Sequence, residues 1–288
     1  MERKPDWLRK AYIPPDNEQP AKEILSRLRL NTVCGEAECP NRGECYARHT
    51  ATFMILGARC TRNCRFCSVC YGAPDAPDPD EPERVARAAA ELGLKYVVIT
   101  SVTRDDLPDG GASHFAATVR AIKKVAPGTA VELLIPDFLG DLSALQTVVE
   151  SQPDVLGHNM ETVRELYSVV RPGADYVRSL AIIAGVKQSD AGIFSKTGIM
   201  LGLGEKKPQL LRLFSDLRRA DCDFLTLGQY LSPTKAHLSV VEYIHPEIFD
   251  EYKETALVMG FRHVASGPYV RSSYNAQEAI FGRNSRIT

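Results

Sequence analysis

Apolar positions along this chain follow two alternating periods. Short apolar runs at 51–56, 96–100, 130–135, 155–156, 198–201, 224–227 and 263–265 have the length and composition of buried strands. Between them lie longer stretches at 83–92, 114–125, 142–150, 163–170, 176–187, 208–219 and 246–259, where apolar residues return at helical spacing. Gly93 stands where the first of these helices ends, and Pro208 near the start of another. Regular βαβα alternation predicts a parallel sheet. Six units fall short of the eight of a closed barrel, which takes about 250 residues. The expected fold is therefore α/β: an incomplete parallel (β/α)6 barrel of the TIM type, over residues 51–265. Residues 1–50 break the pattern, with Pro5, Pro14, Pro15 and Pro20 and one helical stretch near 21–28, and read as an extended arm. Residues 266–288 form a C-terminal segment.

In such a barrel, chemistry collects at the C-terminal ends of the strands. The segments there are 60–67, SVTRDDLPDGG at 101–111, HNMET at 158–162, GLGE at 202–205 and GQYLSP at 228–233. Gly110 and Gly111 permit positive φ, but without a following Lys-Ser/Thr they are not a phosphate loop. Arg104, Asp105, Asp106 and Asp109 read either as an acid–base network or as a solvated charge run. Charge narrows the partners. Thirty-five Lys and Arg against 36 Asp and Glu leave a net charge of −1, which gives no dominant grip on nucleic acid. No apolar run approaches the roughly 20 residues of a membrane span. The N-terminus, MERKPDWLRK, lacks the apolar core of a signal peptide. Neither a nucleic-acid nor a membrane partner is expected, and the chain is expected in the cytoplasm.

Cysteine placement is the strongest chemical signal. Six of the eight cysteines form two triads, Cys34, Cys39, Cys45 and Cys60, Cys64, Cys67, with Cys70 close behind and Cys222 alone. In a reducing compartment such clustering points to metal rather than disulfides. The second triad is spaced C-x3-C-x2-C. Three thiolates suit three irons of a cubane and leave the fourth iron open. A zinc site using Cys70 as fourth ligand is the alternative, since spacing alone does not separate zinc from iron–sulfur. The first triad is spaced C-x4-C-x5-C, and Gly35, Pro40 and Gly43 supply the turns that let its sulfurs converge. Cys222, beside an apolar strand, reads as a small buried hydrophobe. His237 reads as structural. Asn159 and Glu161 could serve as a helix cap and its first turn, and Ser272 and Ser273 could cap a helix around 275–280.

A C-x3-C-x2-C triad directly after a first barrel strand resembles the signature of the radical S-adenosylmethionine (SAM) enzymes. Together with the arm triad and the segments TSVTRDDLPDGGASHF (100–115), NMET (159–162), RSL (178–180), GIMLGLGE (198–205), GQYLSP (228–233) and RSSY (271–274), the chain resembles the lipoyl synthase family from about residue 30 onward. It departs at Met160, where Leu is usual, and at Ser195-Lys196-Thr197, where Thr-Lys-Ser is usual. The resemblance implies two [4Fe-4S] clusters. One, on Cys60, Cys64 and Cys67, cleaves SAM to a 5′-deoxyadenosyl radical. The auxiliary one, on Cys34, Cys39, Cys45 and Ser273, lies under terminal extensions anchored by Arg271 and Tyr274 and gives up its sulfur. Two sulfur atoms enter C6 and C8 of an octanoyl chain carried on a protein lysine, with two SAM per lipoyl group.

The resemblance also assigns SAM contacts. Phe66 lies near adenine, Ser101 and Thr103 meet the methionine amino group, and Asn159 and Glu161 the ribose or methionine; Arg178 reads either as a partner of the methionine carboxylate, as Arg commonly is for carboxylates, or as a helix-surface cation. Implied partners are octanoylated lipoyl carrier domains (2-oxoacid dehydrogenase E2 subunits and glycine cleavage H protein), an electron donor such as flavodoxin or ferredoxin, and an iron–sulfur cluster carrier. The chain is expected to act as a monomer. A biotin-synthase-like enzyme would place auxiliary ligands on barrel strands, which the arm triad argues against. A zinc-stapled binding module would be colourless and indifferent to SAM.

Overall fold

The computed structural model describes residues 4–8, 19–36, 39, 41, 44–45 and 51–282. Among these the strands are β1 (Asn31–Thr32), β2 (Thr52–Ile55), β3 (Arg59–Cys60), β4 (Cys70–Tyr71), β5 (Tyr96–Ser101), β6 (Ala130–Leu134), β7 (Val155–Gly157), β8 (Phe194–Leu201), β9 (Phe224–Gln229) and β10 (His263–Gly267). Eight form one sheet in the order β1-β2-β5-β6-β7-β8-β9-β10, and β3 pairs only with β4. From β2 to β10 every neighbour is parallel, while β1 lines one edge antiparallel to β2. The sheet is the expected open parallel α/β array, with six strand–helix units followed by a seventh parallel strand.

Strand alternation sorts side chains to two faces. Val97, Ile99, Val131, Leu133 and Leu156 pack with Val85, Phe115, Val119, Val148 and Ile182 of the covering helices. Ile199, Leu201, Leu225 and Leu227 do the same against Leu213, Phe214 and Phe249. The arm helix Gln19–Arg27 joins this core through Ala21 and Leu25. On the opposite face Tyr96, Val98 and Ala130 meet Ala276 and Ile280, so the C-terminal segment lies against the side of the sheet that the helices leave bare. That side also carries a buried ion pair. Lys196 Nζ reaches both Glu132 oxygens at 2.7 and 2.8 Å, and Tyr96 donates its hydroxyl to the same carboxylate.

Besides the two-residue strands β1, β3 and β4, two elements differ from the sequence pattern. β8 begins at Phe194 rather than 198, because Ser195, Lys196 and Thr197 are buried polar residues, each with a partner. Ser195 N donates to Asp223 at 3.0 Å, and the Thr197 hydroxyl donates to the His158 carbonyl at 2.8 Å. The helix expected at 163–170 is a 3-10 turn, Arg164–Leu166, leading into the one-turn helix Tyr167–Val170. Among the described residues no helix is long and apolar enough to cross a membrane.

Candidate active site

The second cysteine triad is launched from the end of β2 by a sharp reversal. Leu56 and Gly57 both take positive φ, 68° and 95°. A leucine there is strained, so its peptide groups must be held from outside. Glu81 accepts from Leu56 N at 2.8 Å and from the His114 ring at 2.8 Å, while Arg104 donates to the Leu56 carbonyl at 3.2 Å. Gly111, at φ 92°, lies so close that a Cβ would fall 2.4 Å from Leu56 Cδ1. Arg104 is only 2% exposed and pairs with Asp106 at 2.8 and 2.9 Å. The 104–106 charges are thus a network rather than a solvated run.

Cys60 ends β3, and its sulfur accepts from the backbone N–H of Arg62 at 3.4 Å and of Thr103 at 3.3 Å. Thr61 donates to the Thr103 carbonyl through both N–H and hydroxyl, each at 3.0 Å, tying the loop to the end of β5. Arg62, between two cysteines, clamps Asp105 at 2.7 and 2.8 Å and Asp137 at 2.6 Å. Asp137 in turn accepts from Arg178 Nε at 2.7 Å. Cys60, Cys64 and Cys67 are partly buried, whereas Cys70 is exposed on β4. Burial pushes the Cys64 thiol up and the Cys67 thiol up to about 11, with the neighbouring thiols adding to it. Loading a metal group here must therefore displace protons. Among the described residues no three Cys, His, Asp or Glu side chains form a cage for a single ion.

Asp137 is the keystone of this region. It is 0% exposed, and although burial opposes ionisation, the Arg62 and Arg178 guanidiniums bring its carboxyl down to about 2. Asp137→Asn should cost about 3 kcal/mol at neutral pH, because the buried Arg62 is left with Asp105 alone and the partly exposed Arg178 loses its carboxylate. The sign follows from the depressed value: this stabilisation is complete above the ordinary carboxylate range and is lost as pH falls through about 2. Chemical unfolding of both proteins should give curves that converge as pH drops from about 4. An undiminished difference at low pH would contradict the assignment.

Across the mouth, Asn159 and Glu161 follow β7. Asn159 caps no helix; its amide donates to Glu161 Oε1 at 3.0 Å. Glu161 adopts φ 64° and is pinned by β8, donating to the Gly198 carbonyl at 2.9 Å and accepting from Met200 N at 2.8 Å. Burial raises its carboxyl, with Arg171 opposing. Gly198 clears space here: a Cβ would stand 2.8 Å from Asn159 Oδ1 and 2.9 Å from the Thr226 hydroxyl. Phe66 packs with Val170, Leu203 and Tyr230. Arg171 was not singled out in the sequence. Its guanidinium donates to the Asn159 carbonyl at 2.7 Å and to the Tyr167 hydroxyl at 2.9 Å. Arg178 is engaged by Asp137 and by the Gly173 carbonyl at 2.9 Å.

Three buried polar atoms around the mouth lack a partner among the described residues: Ser101 Oγ, at the end of β5, Thr162 Oγ1, after β7, and Arg171 Nε, at the end of the helix Tyr167–Val170. A free hydroxyl and a free guanidinium N–H suit the ammonium and carboxylate of an amino-acid ligand such as the methionine part of SAM. The donor set thus fits both groups implied by the sequence.

The first triad is less completely described. Cys34 falls in the short helix Val33–Glu36, and its side chain lies outside the described residues. Cys39 and Cys45 are partly buried. Among the described residues their segment meets the C-terminal segment: Asn41 donates to the Tyr269 carbonyl at 2.7 Å, and Tyr274 donates to Glu44 at 2.9 Å. Burial disfavours the Arg271 cation, and Cys39 is near enough to favour it. Neither Ser272 nor Ser273 caps the following helix, Glu278–Phe281, whose N-cap is Gln277. Cys222 is fully buried, its thiol pushed up to about 12 by burial. Full burial and a raised thiol are the surroundings expected of a small hydrophobe.

Comparison with known proteins bears on the fold and the family. The radical SAM superfamily profile matches residues 54–217. Among solved structures, methylornithine synthase superposes with a TM-score of 0.52 at 15% identity, covering 88% of this chain and 86% of that one. Streptococcus suis SuiB bound to S-adenosylmethionine gives 0.60 at 13%, covering 90% of this chain and 57% of that one. At such identities the likeness concerns the fold. In sequence, the lipoyl synthase of Caldanaerobacter subterraneus subsp. tengcongensis is 56% identical over 278 residues, covering 96% of this chain and 97% of that protein. The lipoyl synthase of Geobacter sulfurreducens is 57% identical over 276 residues, covering 96% and 90%. With more than half of its residues shared over nearly its whole length, on the open parallel array of a radical SAM fold, the chain belongs to the lipoyl synthase family of radical SAM enzymes.

Proposed function

We propose that Cys60, Cys64 and Cys67 hold the SAM-binding [4Fe-4S] cluster, that Cys34, Cys39, Cys45 and Ser273 hold an auxiliary one, and that the enzyme inserts two sulfur atoms at C6 and C8 of a protein-bound octanoyl-lysine. Bound together, the clusters and SAM supply an electron, a hydrogen-abstracting radical and sulfur. The protein's part is placement. Arg62 fastens the cysteine loop to the ends of β5 and β6 through Asp105 and Asp137. Asn159 and Glu161 present an amide and a carboxylate to hydroxyl or ammonium groups, and Phe66 offers a ring to adenine. Thr103 fastens Cys60 through its N–H. The arm forms one unit, the barrel a second and the C-terminal segment a third, and the Asn41–Tyr269 and Glu44–Tyr274 contacts support closure of the third over the auxiliary ligands. Octanoylated carrier domains, a low-potential electron donor and a cluster carrier complete the system, with the enzyme working as a monomer.

The observation that carries this reading is the pair of unpartnered atoms, Ser101 Oγ at the end of β5 and Arg171 Nε beside Val170, whose carbonyl accepts from Arg65 N of the cysteine loop at 3.1 Å. Because Arg178 is occupied by Asp137, Arg171 joins it as a candidate for the methionine carboxylate. Equilibrium binding of SAM to reconstituted protein tests this. Arg171→Met should weaken binding by about tenfold or more, as loss of a charge-assisted hydrogen bond does, with cluster content intact. Undiminished affinity in Arg171→Met would remove Arg171 from the site.

A further inference from the structure

The segment between β9 and the helix Pro246–Val258 crosses the cysteine loop and holds it by two carbonyls. Leu238 N donates to the Arg65 carbonyl at 3.1 Å. The His237 ring meets the Cys67 carbonyl through Nε2 at 3.0 Å, and its Nδ1 lies 2.8 Å from the Thr234 hydroxyl. A carbonyl only accepts, so Nε2 carries the proton. Nδ1 then accepts from the Thr234 hydroxyl, whose oxygen receives the Ala236 N–H at 3.2 Å. The turn therefore sets both the tautomer and the plane of the ring. Beside it, Leu238 and Val240 pack with Phe66, Tyr230 and Val170, and Tyr230 donates its hydroxyl to the Leu238 carbonyl at 2.8 Å. A histidine with a structural reading in the sequence thus stands on the last cysteine of the triad.

We propose that His237 is a positioning residue for the SAM-binding cluster: by holding the Cys67 carbonyl it orients that ligand's backbone and so the seat of the third thiolate. The inference rests on the reading that Cys60, Cys64 and Cys67 hold a cluster. The direction of a Cβ–S bond follows the backbone that carries it. Groups that orient ligands from outside the ligand set commonly change affinity or activity about 10–100-fold when removed. Hydrogen bonding around a cluster also sets its reduction potential. His237 does this work through Cys67 and takes no part in proton transfer.

The test uses full-length, anaerobically reconstituted wild-type protein beside His237→Ala, His237→Gln and Thr234→Val. Gln can place an N–H close to the Nε2 position. Iron content, the electron paramagnetic resonance of the reduced SAM-binding cluster with and without SAM, its midpoint potential and the rate of SAM cleavage are measured. His237→Ala should bind iron, show an altered resonance and potential, and cleave SAM about tenfold more slowly or worse. His237→Gln should recover most of each. Thr234→Val, which leaves the ring but removes its orienting hydroxyl, should shift the same signals in the same direction by a smaller amount. A His237→Ala protein with wild-type resonance, potential and rate would overturn the proposal, as would equal damage from Ala and Gln. If His237→Ala does not fold, Thr234→Val decides, and wild-type signals from it overturn the proposal. Absence of a SAM-responsive cluster from the wild type would instead overturn the underlying reading.

Discussion

Replacing Cys60, Cys64 and Cys67 together by Ala should abolish SAM cleavage while leaving the protein folded and brown. The expectation follows from the place of this loop. It leaves β2 through the strained Leu56 reversal, is braced by Glu81 and Arg104, and is tied by Arg62 to Asp105 and Asp137. None of these supports is a cysteine, so the scaffold survives the loss of the thiols. What disappears is the cluster with an open iron. Iron should fall from about eight to about four per chain, the content of one remaining cubane. No 5′-deoxyadenosine should form on incubation with SAM and reductant. Formation at the wild-type rate would show that the radical cluster lies elsewhere.

Ser273→Ala should separate the two chemistries in the opposite sense. SAM cleavage should persist near the wild-type rate, because every support of the Cys60 loop is intact. Lipoyl product should fall by about a hundredfold or more if loss of a ligand disables the auxiliary cluster. A serine oxygen is a harder donor than thiolate and a poorer match for iron–sulfur, which suits a cluster that must surrender sulfide. The segment is held without the serine: Tyr274 bonds Glu44, and the Tyr269 carbonyl accepts from Asn41. A folding defect is therefore not the expected cause. Full lipoyl formation by Ser273→Ala would remove this residue from the ligand set.

Much of the scaffold was legible because apolar spacing reports burial against helices. The runs at 96–100, 130–135 and 224–227 all became parallel strands of the sheet. Spacing could not report the other face. The first half of β8 reads as polar because Lys196 is neutralised by Glu132 and Thr197 donates to the His158 carbonyl. Both partners lie far along the chain. β1, β3 and β4 are two-residue strands, too short for any period to register. The cysteine triads were legible as chemistry because thiols cluster for few reasons. The groups that hold them in place were not. Arg62 and Asp137 act through contacts 41–75 residues apart, and Arg171 and His237 through backbone carbonyls. The one available signal for Arg62 was its place between two ligands, and sequence left the neighbouring Arg104, Asp105 and Asp106 equally readable as a network or a solvated run, which the burial of Arg104 decides.

The central claim, sulfur insertion into an octanoyl group, is tested most directly by the intact mass of an octanoylated lipoyl carrier domain. The domain is incubated anaerobically with reconstituted enzyme, SAM and reductant. The expected result is a carrier that has gained two sulfur atoms as a dithiol, each thiol replacing one hydrogen carried off as 5′-deoxyadenosine, with two 5′-deoxyadenosine molecules formed per modified carrier. A carrier whose mass is unchanged while SAM is consumed would contradict the account.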